Sequence, residues 1–347
     1  MTLSESTLTP RNTQFQLSAI EWVYAYWVSR CIYVVAKLGI ADLLKDGSQH
    51  CDTLAVATET HSNSLYRVLR ALASVGIFAE TEPYCFQLTS QATCLQSDVP
   101  GSIRAEAILR GEEHYYKAWG NLMYSVQTGE NAFEHLYGMN LFQYNDENPT
   151  QGHIFDRGMA ESKDANADIM AAYDFSFINK LVDVGGGKGS LLTDILQAYP
   201  TMVGVLFDRP DVINRSQTFL STAAMNARYQ FVGGDFFETV PVGGDAYLLK
   251  HIIQDWDDRQ ALAILKRCHQ AMNTQGRLLV IDFLIPPGNE FFASKFIDIN
   301  MLVISPNGRI RSEAEFYQLF KAAGFKLTQI IPTKSEVSII EGIKIVE

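Results

Sequence analysis

The stretch Leu181-Val-Asp-Val-Gly-Gly-Gly-Lys-Gly-Ser190 decides the fold of this chain. A short apolar strand runs straight into a glycine loop and a helix start, which brings bare backbone close to a ligand at a helix N-terminus. A second apolar run over 203–207 closes on an acid, Asp208. A carboxylate after the second strand suits the hydroxyls of a ribose. These features read as a nucleoside-cofactor site. The nucleoside is not set by the loop alone, because Gly185-x-Gly187-x-x-Ser190 departs from the dinucleotide fingerprint at its third small position and adds Gly186 and Gly189.

Outward from this point, strand patterns at 181–184, 203–207, 229–232, 246–249 and 278–281 alternate with helical stretches. That alternation predicts an α/β fold with a doubly wound parallel sheet. Ser312-x-x-Glu315 predicts a capping box for a helix that buries Phe316, Leu319, Phe320 and Ala323 and stops at Gly324. Two β-prone runs follow at 327–331 and 337–345, too close for a helical crossover, so the last strand is expected to be antiparallel.

The N-terminal part reads differently. Residues 1–14 are polar and are expected to fray, and helices begin at Phe15, with Trp22, Tyr26, Trp27 and Tyr33 offering more apolar face than a small module covers. Over 52–90 the order helix, second helix (64–75) and two short strands (76–80 and 84–88) is a winged-helix pattern. Arg67 and Arg70 are the only bases among Leu65, Val68, Leu69 and Leu72 of the second helix, so a mainly helical dimerisation module is expected rather than a DNA reader. Residues 105–175 are helical, rich in aromatics and methionine and punctuated by glycines 120, 129, 138, 152 and 158, which suits a pocket wall. The expected division is 1–104, 105–175 and 176–347.

Composition supports this reading. The 347 residues, 47% apolar, exceed one usual core. With 28 basic against 39 acidic residues and a net charge of -11, neither nucleic acid nor an anionic membrane is the expected partner. The aromatic run 22–44 is broken by Arg30, Lys37 and Asp42, which argues against a membrane span. Cys31, Cys51, Cys85, Cys94 and Cys268 form no CxxC pair and no ligand cluster with histidine, so no metal is expected. Buried thiols and the absence of a basic leader before an apolar core predict a cytoplasmic protein.

At this point the residues carry a resemblance. From about residue 15 the chain is similar to the two-domain small-molecule O-methyltransferases that use S-adenosylmethionine. Val-Ala-Lys-Leu-Gly-Ile-Ala-Asp-Leu-Leu (35–44) and Tyr-Arg-Val-Leu-Arg-Ala-Leu-Ala-Ser-Val-Gly (66–76) resemble the family's dimerisation domain, and Phe155-Asp-Arg-Gly-Met159 its substrate-lining helix. Asp183-Val-Gly-Gly-Gly187, Phe207-Asp-Arg-Pro210, Gly234-Asp-Phe-Phe237 and Leu249-Lys-His-Ile-Ile-Gln-Asp-Trp-Asp-Asp258 resemble its Rossmann-like cofactor domain.

The resemblance implies roles. Gly185, Gly186 and Gly187 would pass under the cofactor's methionine moiety, and Asp183 is a further cofactor-binding position. Asp208, with Arg209 beside it, would take the ribose hydroxyls, and Asp235 with Phe236 would take the adenine. Lys250 matches the family's cofactor-contacting lysine. Phe155, Met159, Trp256 and Met301 match acceptor-pocket positions. A homodimer through the N-terminal helices and a small-molecule acceptor follow from the same likeness.

One constellation departs from the family. Where most members place a proton-abstracting histidine before the Asp-Trp pair, this chain has Gln254. An amide orients a hydroxyl but is no base near neutral pH. The carboxylates that hold that histidine also change, one becoming Asp282 and the other falling on Ile310. A general base is worth about 10²- to 10⁴-fold, roughly 3–5 kcal/mol, against about 7–11 kcal/mol from proximity and orientation, so transfer survives its loss. Replacement bases are His251, expected to be turned into structure at the strand's end, and His114 or His153 in the aromatic segment. The reading is methyl transfer to a small aromatic or polyketide-like metabolite, at oxygen first. The alternative keeps the cofactor but methylates carbon, or uses the sulfonium charge for hydroxylation, decarboxylation or pericyclic chemistry.

Overall fold

The computed structural model describes residues 19–161, 166–219, 227–305 and 307–345. The frayed end expected for 1–14 and the helix start expected at Phe15 lie outside the described residues. Contacts divide the chain into two units, Met1–Glu113 with His153–Ser162, and His114–Gly152 with Lys163–Glu347.

In the first unit, α1 (Ala19–Leu38) and α2 (Ile40–Leu43) meet at Gly39, whose φ of 71° gives the left-handed turn between them. Then come β1 (Gln49–His50), α3 (Cys51–Ala57), α4 (Ser62–Ser74), β2 (Phe78–Glu82), β3 (Cys85–Leu88) and α5 (Arg104–Gly111). The small sheet has the antiparallel order β1-β3-β2. Leu65, Leu69 and Leu72, at helical spacing on α4, pack into a core with Ile40, Leu54, Phe78 and Phe86, while Arg67 and Arg70 face outward. Gly111 lies against the Tyr33 ring, where any Cβ would clash. On α1, Trp22, Tyr26 and Trp27 stay about half exposed.

The helices α6 (Glu113–Gly120), α7 (Leu122–Thr128), α8 (Ala132–Tyr137), α9 (Leu141–Glu147), α10 (Pro149–Glu161) and α11 (Asn166–Ala172) follow. Gly129 and Gly138 end α7 and α8 at positive φ. Gly152 and Gly158 do not punctuate. Both lie within α10 at close approaches, Gly152 against the Asn145 carbonyl and Gly158 against Leu109, so the chain keeps them for contact rather than for a break.

The large sheet contains β4 (Lys180–Val184), β5 (Val203–Asp208), β6 (Tyr229–Gly233), β7 (Ala246–Lys250), β8 (Arg277–Phe283), β9 (Phe325–Pro332) and β10 (Val337–Lys344), in the order β6-β5-β4-β7-β8-β10-β9. Helices α12 (Ser190–Ala198), α13 (Pro210–Phe219), α14 (Asp258–Ala271), α15 (Ala293–Ile304) and α16 (Glu313–Ala322) connect them. The strands from β6 to β8 are parallel, and β10 inserts antiparallel between β8 and β9. Alternate residues serve opposite faces: Val182, Val205, Leu249 and Val280 meet α14 and α16, while Leu181, Leu206, Leu248 and Ile281 meet α12. Ser312 and Glu315 form the expected capping box on α16. No described helix is long and apolar enough to cross a membrane.

Candidate active site

Strand order reverses between β4 and β7, and in an open α/β sheet such a reversal leaves a crevice at the carboxyl ends of the strands. The glycine loop after β4 and the segment after β7 flank that crevice. They touch closely, since a Cβ on Gly185 would lie 2.4 Å from Ile252 Cδ1 and 3.9 Å from the Phe236 ring. Gly186 closes over the buried Asp183 carboxyl, where a Cβ would again clash. Gly187, at φ 59°, has open space where a side chain would stand.

Asp208 ends β5 beside this loop. The Gly187 N–H donates to its Oδ2 (2.8 Å) and the Arg209 N–H to its Oδ1 (2.7 Å). Burial pushes its carboxyl above the usual range, and the two N–H donors oppose that shift. Asp235 is exposed, accepts from the Phe237 N–H (2.8 Å) and precedes the half-buried Phe236. A carboxylate for a diol, backbone without side chains and an aromatic wall therefore converge at one crevice, and these residues fit an adenosine-bearing sulfonium. The Arg209 guanidinium points elsewhere, to Asp211 (3.1 Å) and Asp146 (3.8 Å). Lys250 Nζ donates to Asn166 Oδ1 (2.7 Å), and Asn166 in turn to Asp194 Oδ2 (2.8 Å).

The segment after β7 is clamped. His251 takes the left-handed conformation at φ 57°, and Ile253–Asp255 forms a 3-10 turn with Ile253 fully buried. Arg311, 1% exposed, donates to the Ile253 carbonyl (2.8 Å), the Trp256 carbonyl (2.8 Å) and Asp258 Oδ1 (2.8 Å). The Arg309 N–H donates to the Gln254 carbonyl (2.8 Å) and Ser305 Oγ to that of Asp255 (3.3 Å). The Gln254 side chain faces His251 Nδ1 (3.4 Å). Sequence reasoning missed Arg311: nothing in Asn-Gly-Arg-Ile-Arg separates a buried guanidinium from an exposed one. Asp257 caps α14 by accepting from the Gln260 N–H, one residue before the first-turn carboxylate Asp258.

The remaining candidates are spread more widely. Trp256 packs edge-on against Phe236 and Phe237. Met301 is 6% exposed on α15, whose neighbour Asn300 accepts from Trp119 Nε1 on α6 (3.0 Å). His114 is buried on α6 between Phe133 and Tyr144, its ring stacked on Tyr144. Ile310 is buried, its N–H donating to Asp298. Phe155 and Met159 are half-buried on α10, in the part assigned to the first unit, and His153 there is exposed.

A strand reversal with a glycine loop and a carboxylate at its mouth is the architecture of a nucleotide-binding α/β domain. Residues 119–326 match the O-methyltransferase domain family, and residues 20–98 match the O-methyltransferase dimerisation domain. The chain belongs to the S-adenosylmethionine-dependent O-methyltransferase family and is a methyltransferase of small metabolites. It is 41% identical to a phenazine O-methyltransferase of Lysobacter antibioticus over 93% of this chain and 94% of that protein. It is 33% identical to a phenazine-1-carboxylate N-methyltransferase of Pseudomonas aeruginosa, over 92% and 95%. The crystal structure of a methyltransferase of calicheamicin biosynthesis in its SAH-bound form superposes with a TM-score of 0.84 at 32% identity, covering 94% of this chain and 96% of that one.

Proposed function

We propose that this enzyme methylates a hydroxyl of a fused aromatic metabolite of the phenazine or quinone kind, with Gln254 orienting that hydroxyl. The observation that supports it is the clamp: Arg309, Arg311 and Ser305 fix the backbone of 253–256 beside the glycine loop, so the amide of Gln254 is presented in one place. The bound cofactor supplies a methyl group activated by a sulfonium. Asp208 holds the ribose, Asp235 and Phe236 hold the adenine, and the loop 185–187 leaves room for the chain between them. Trp256 and Met301 lend apolar surface to the acceptor side. Orientation without a base at position 254 favours an acceptor that is already acidic, and a phenol conjugated to a heteroaromatic ring is one. Residues 1–104 carry the contact of a homodimer.

The test is incubation with S-adenosylmethionine and a panel of hydroxylated phenazines and quinones, followed by mass spectrometry. The expected result is a product heavier by one methylene together with S-adenosylhomocysteine. Gln254→Ala should lower kcat/KM by about tenfold, the scale of one oriented hydrogen bond. A product that carries no added methyl group and forms without S-adenosylhomocysteine would mean that the cofactor acts only through its charge. A second reading, transfer to a ring nitrogen, is favoured by the amide at 254, since such an acceptor has no proton to lose. Position of the new methyl group on the product decides between the two.

A further inference from the structure

The turn after β7 decides which end of the Gln254 amide faces the protein. His251 stands at φ 57°, a region that residues with a Cβ seldom enter and in which histidine is one of the usual exceptions. That backbone aims the Nδ1 edge of the ring at two oxygens, Gln254 Oε1 at 3.4 Å and Asp282 Oδ1 on β8 at 3.6 Å. Asp282 is 1% exposed, and neither of its oxygens meets hydrogen-bond geometry among the described residues. Burial pushes its carboxyl up, while His251, Arg311 and the Gln254 N–H act against that shift. A carboxylate beside Nδ1 keeps the proton on that nitrogen, and an Nδ1–H takes the amide by its oxygen. The two N–H donors of the amide are then turned away from His251. Gln254 also adjoins a candidate acceptor wall, since a Cβ on Gly308 would lie 2.8 Å from both the Gln254 carbonyl oxygen and Met301 Cε.

We propose that Gln254 donates to the oxygen of an acceptor that arrives already ionised, with His251 as the positioning residue that holds the amide by its oxygen. The inference rests on the reading that the acceptor oxygen lies at Gln254. Two N–H donors offer a neutral hydroxyl no place to leave its proton, but they stabilise an oxyanion. The substrate class is therefore an acidic hydroxyl, as in hydroxyquinones, where it is a vinylogous acid. Its proton passes to solvent before binding. In the transfer an oxygen electron pair forms the new O–C bond, the pair that joined the methyl carbon to the donor sulfur stays on sulfur, and the two opposite charges cancel. The charged groups around the amide are Asp282 from β8, Arg311 from the segment before α16, and Asp255, the next residue in the chain. Arg309 is engaged by Glu315 and Asp258, and Lys250 is turned to Asn166.

Two probes test this, 2-hydroxy-1,4-naphthoquinone, an anion at neutral pH, and 1-naphthol, which is neutral there. With S-adenosylmethionine, kcat/KM for the quinone should stay level from neutrality upward. That for 1-naphthol should climb about tenfold per pH unit, following the ionised fraction of the naphthol itself. Gln254→Glu, which keeps the shape but removes the donors, should lower kcat/KM for the quinone by about 10- to 100-fold, the scale of a hydrogen bond to a charged group. His251→Asn, which tolerates the left-handed backbone, should raise KM for the quinone by about tenfold and leave the naphthol slope unchanged, because the ring takes no proton. Nitrogen NMR of histidine-labelled protein, with neither cofactor nor acceptor added and the ring neutral, reads the tautomer. His251, assigned by the signal lost in His251→Asn, is expected to carry its proton on Nδ1. A ring protonated at Nε2 instead, or one acid limb shared by both probes, overturns the proposal and leaves hydroxyl methylation standing. The expected tautomer in a protein that methylates neither hydroxyl removes the proposed function instead.

Discussion

Asp208 is the residue proposed to hold the ribose of the cofactor. Both its oxygens are already engaged by N–H donors of the loop and of Arg209, so the carboxylate is aimed before any ligand arrives. Burial nevertheless raises its pKa, which means that the folded protein takes up this proton more readily than a free aspartate does at about 3.9. The ionised form, the better acceptor for two hydroxyls, is therefore lost as pH falls through the raised value, sooner than for an ordinary aspartate. Calorimetry should show affinity for S-adenosylmethionine weakening as the pH is lowered from neutrality into the acid range. Asp208→Asn should bind about 10- to 100-fold more weakly and vary little over that range, in keeping with hydrogen bonds to a charged group. Matching curves for the two proteins would show that this carboxyl does not carry the pH dependence. The aspartate was legible in the sequence because it follows an apolar run. Its two backbone donors were not, since they depend on how the loop folds back.

Among the elements, the segment after β7 shows how a short connection is made rigid. It is held from outside by the fork of Arg311, whose donors reach two carbonyls and one carboxylate at once. A lysine cannot meet three acceptors in that geometry. Arg311→Lys should cost about 1–3 kcal/mol of stability and speed amide hydrogen exchange over 253–256. Unchanged exchange there would mean that packing of Ile253 alone holds the turn. Gly152 and Gly158 teach the opposite lesson. Read singly they look like breaks, yet α10 runs through both because the space beside each is filled by Asn145 or Leu109.

For the molecule as a whole, two features matter beyond the site. The insertion of β10 between β8 and β9 buries Glu341, which accepts from Tyr173 (2.5 Å) and Thr328 (2.5 Å) and pairs with Arg277 (3.0 Å). That carboxylate ties the chain before β4 to three strands at the far end of the sheet, and burial together with Glu341 pushes the Tyr173 hydroxyl's pKa well up. The second feature is the aromatic face of α1, half exposed within a stretch that matches a dimerisation domain. Contiguous exposed apolar surface of this kind marks an association site. The double variant Trp22→Glu with Trp27→Glu should shift the protein from dimer to monomer in light scattering while far-ultraviolet circular dichroism stays unchanged. A dimer that survives both charges would place the contact elsewhere.

The sequence by itself determined the sheet, the glycine loop and the aspartate that follows it, because strand alternation, helix periodicity and glycine turns are local properties written in adjacent residues. It also determined that position 254 holds an amide. Only the tertiary structure decided that Arg311 is buried, that His251 turns towards Asp282 and that Lys250 turns to Asn166. Each of these is a contact between residues far apart in the chain, and its energy depends on burial and distance, which no local pattern encodes.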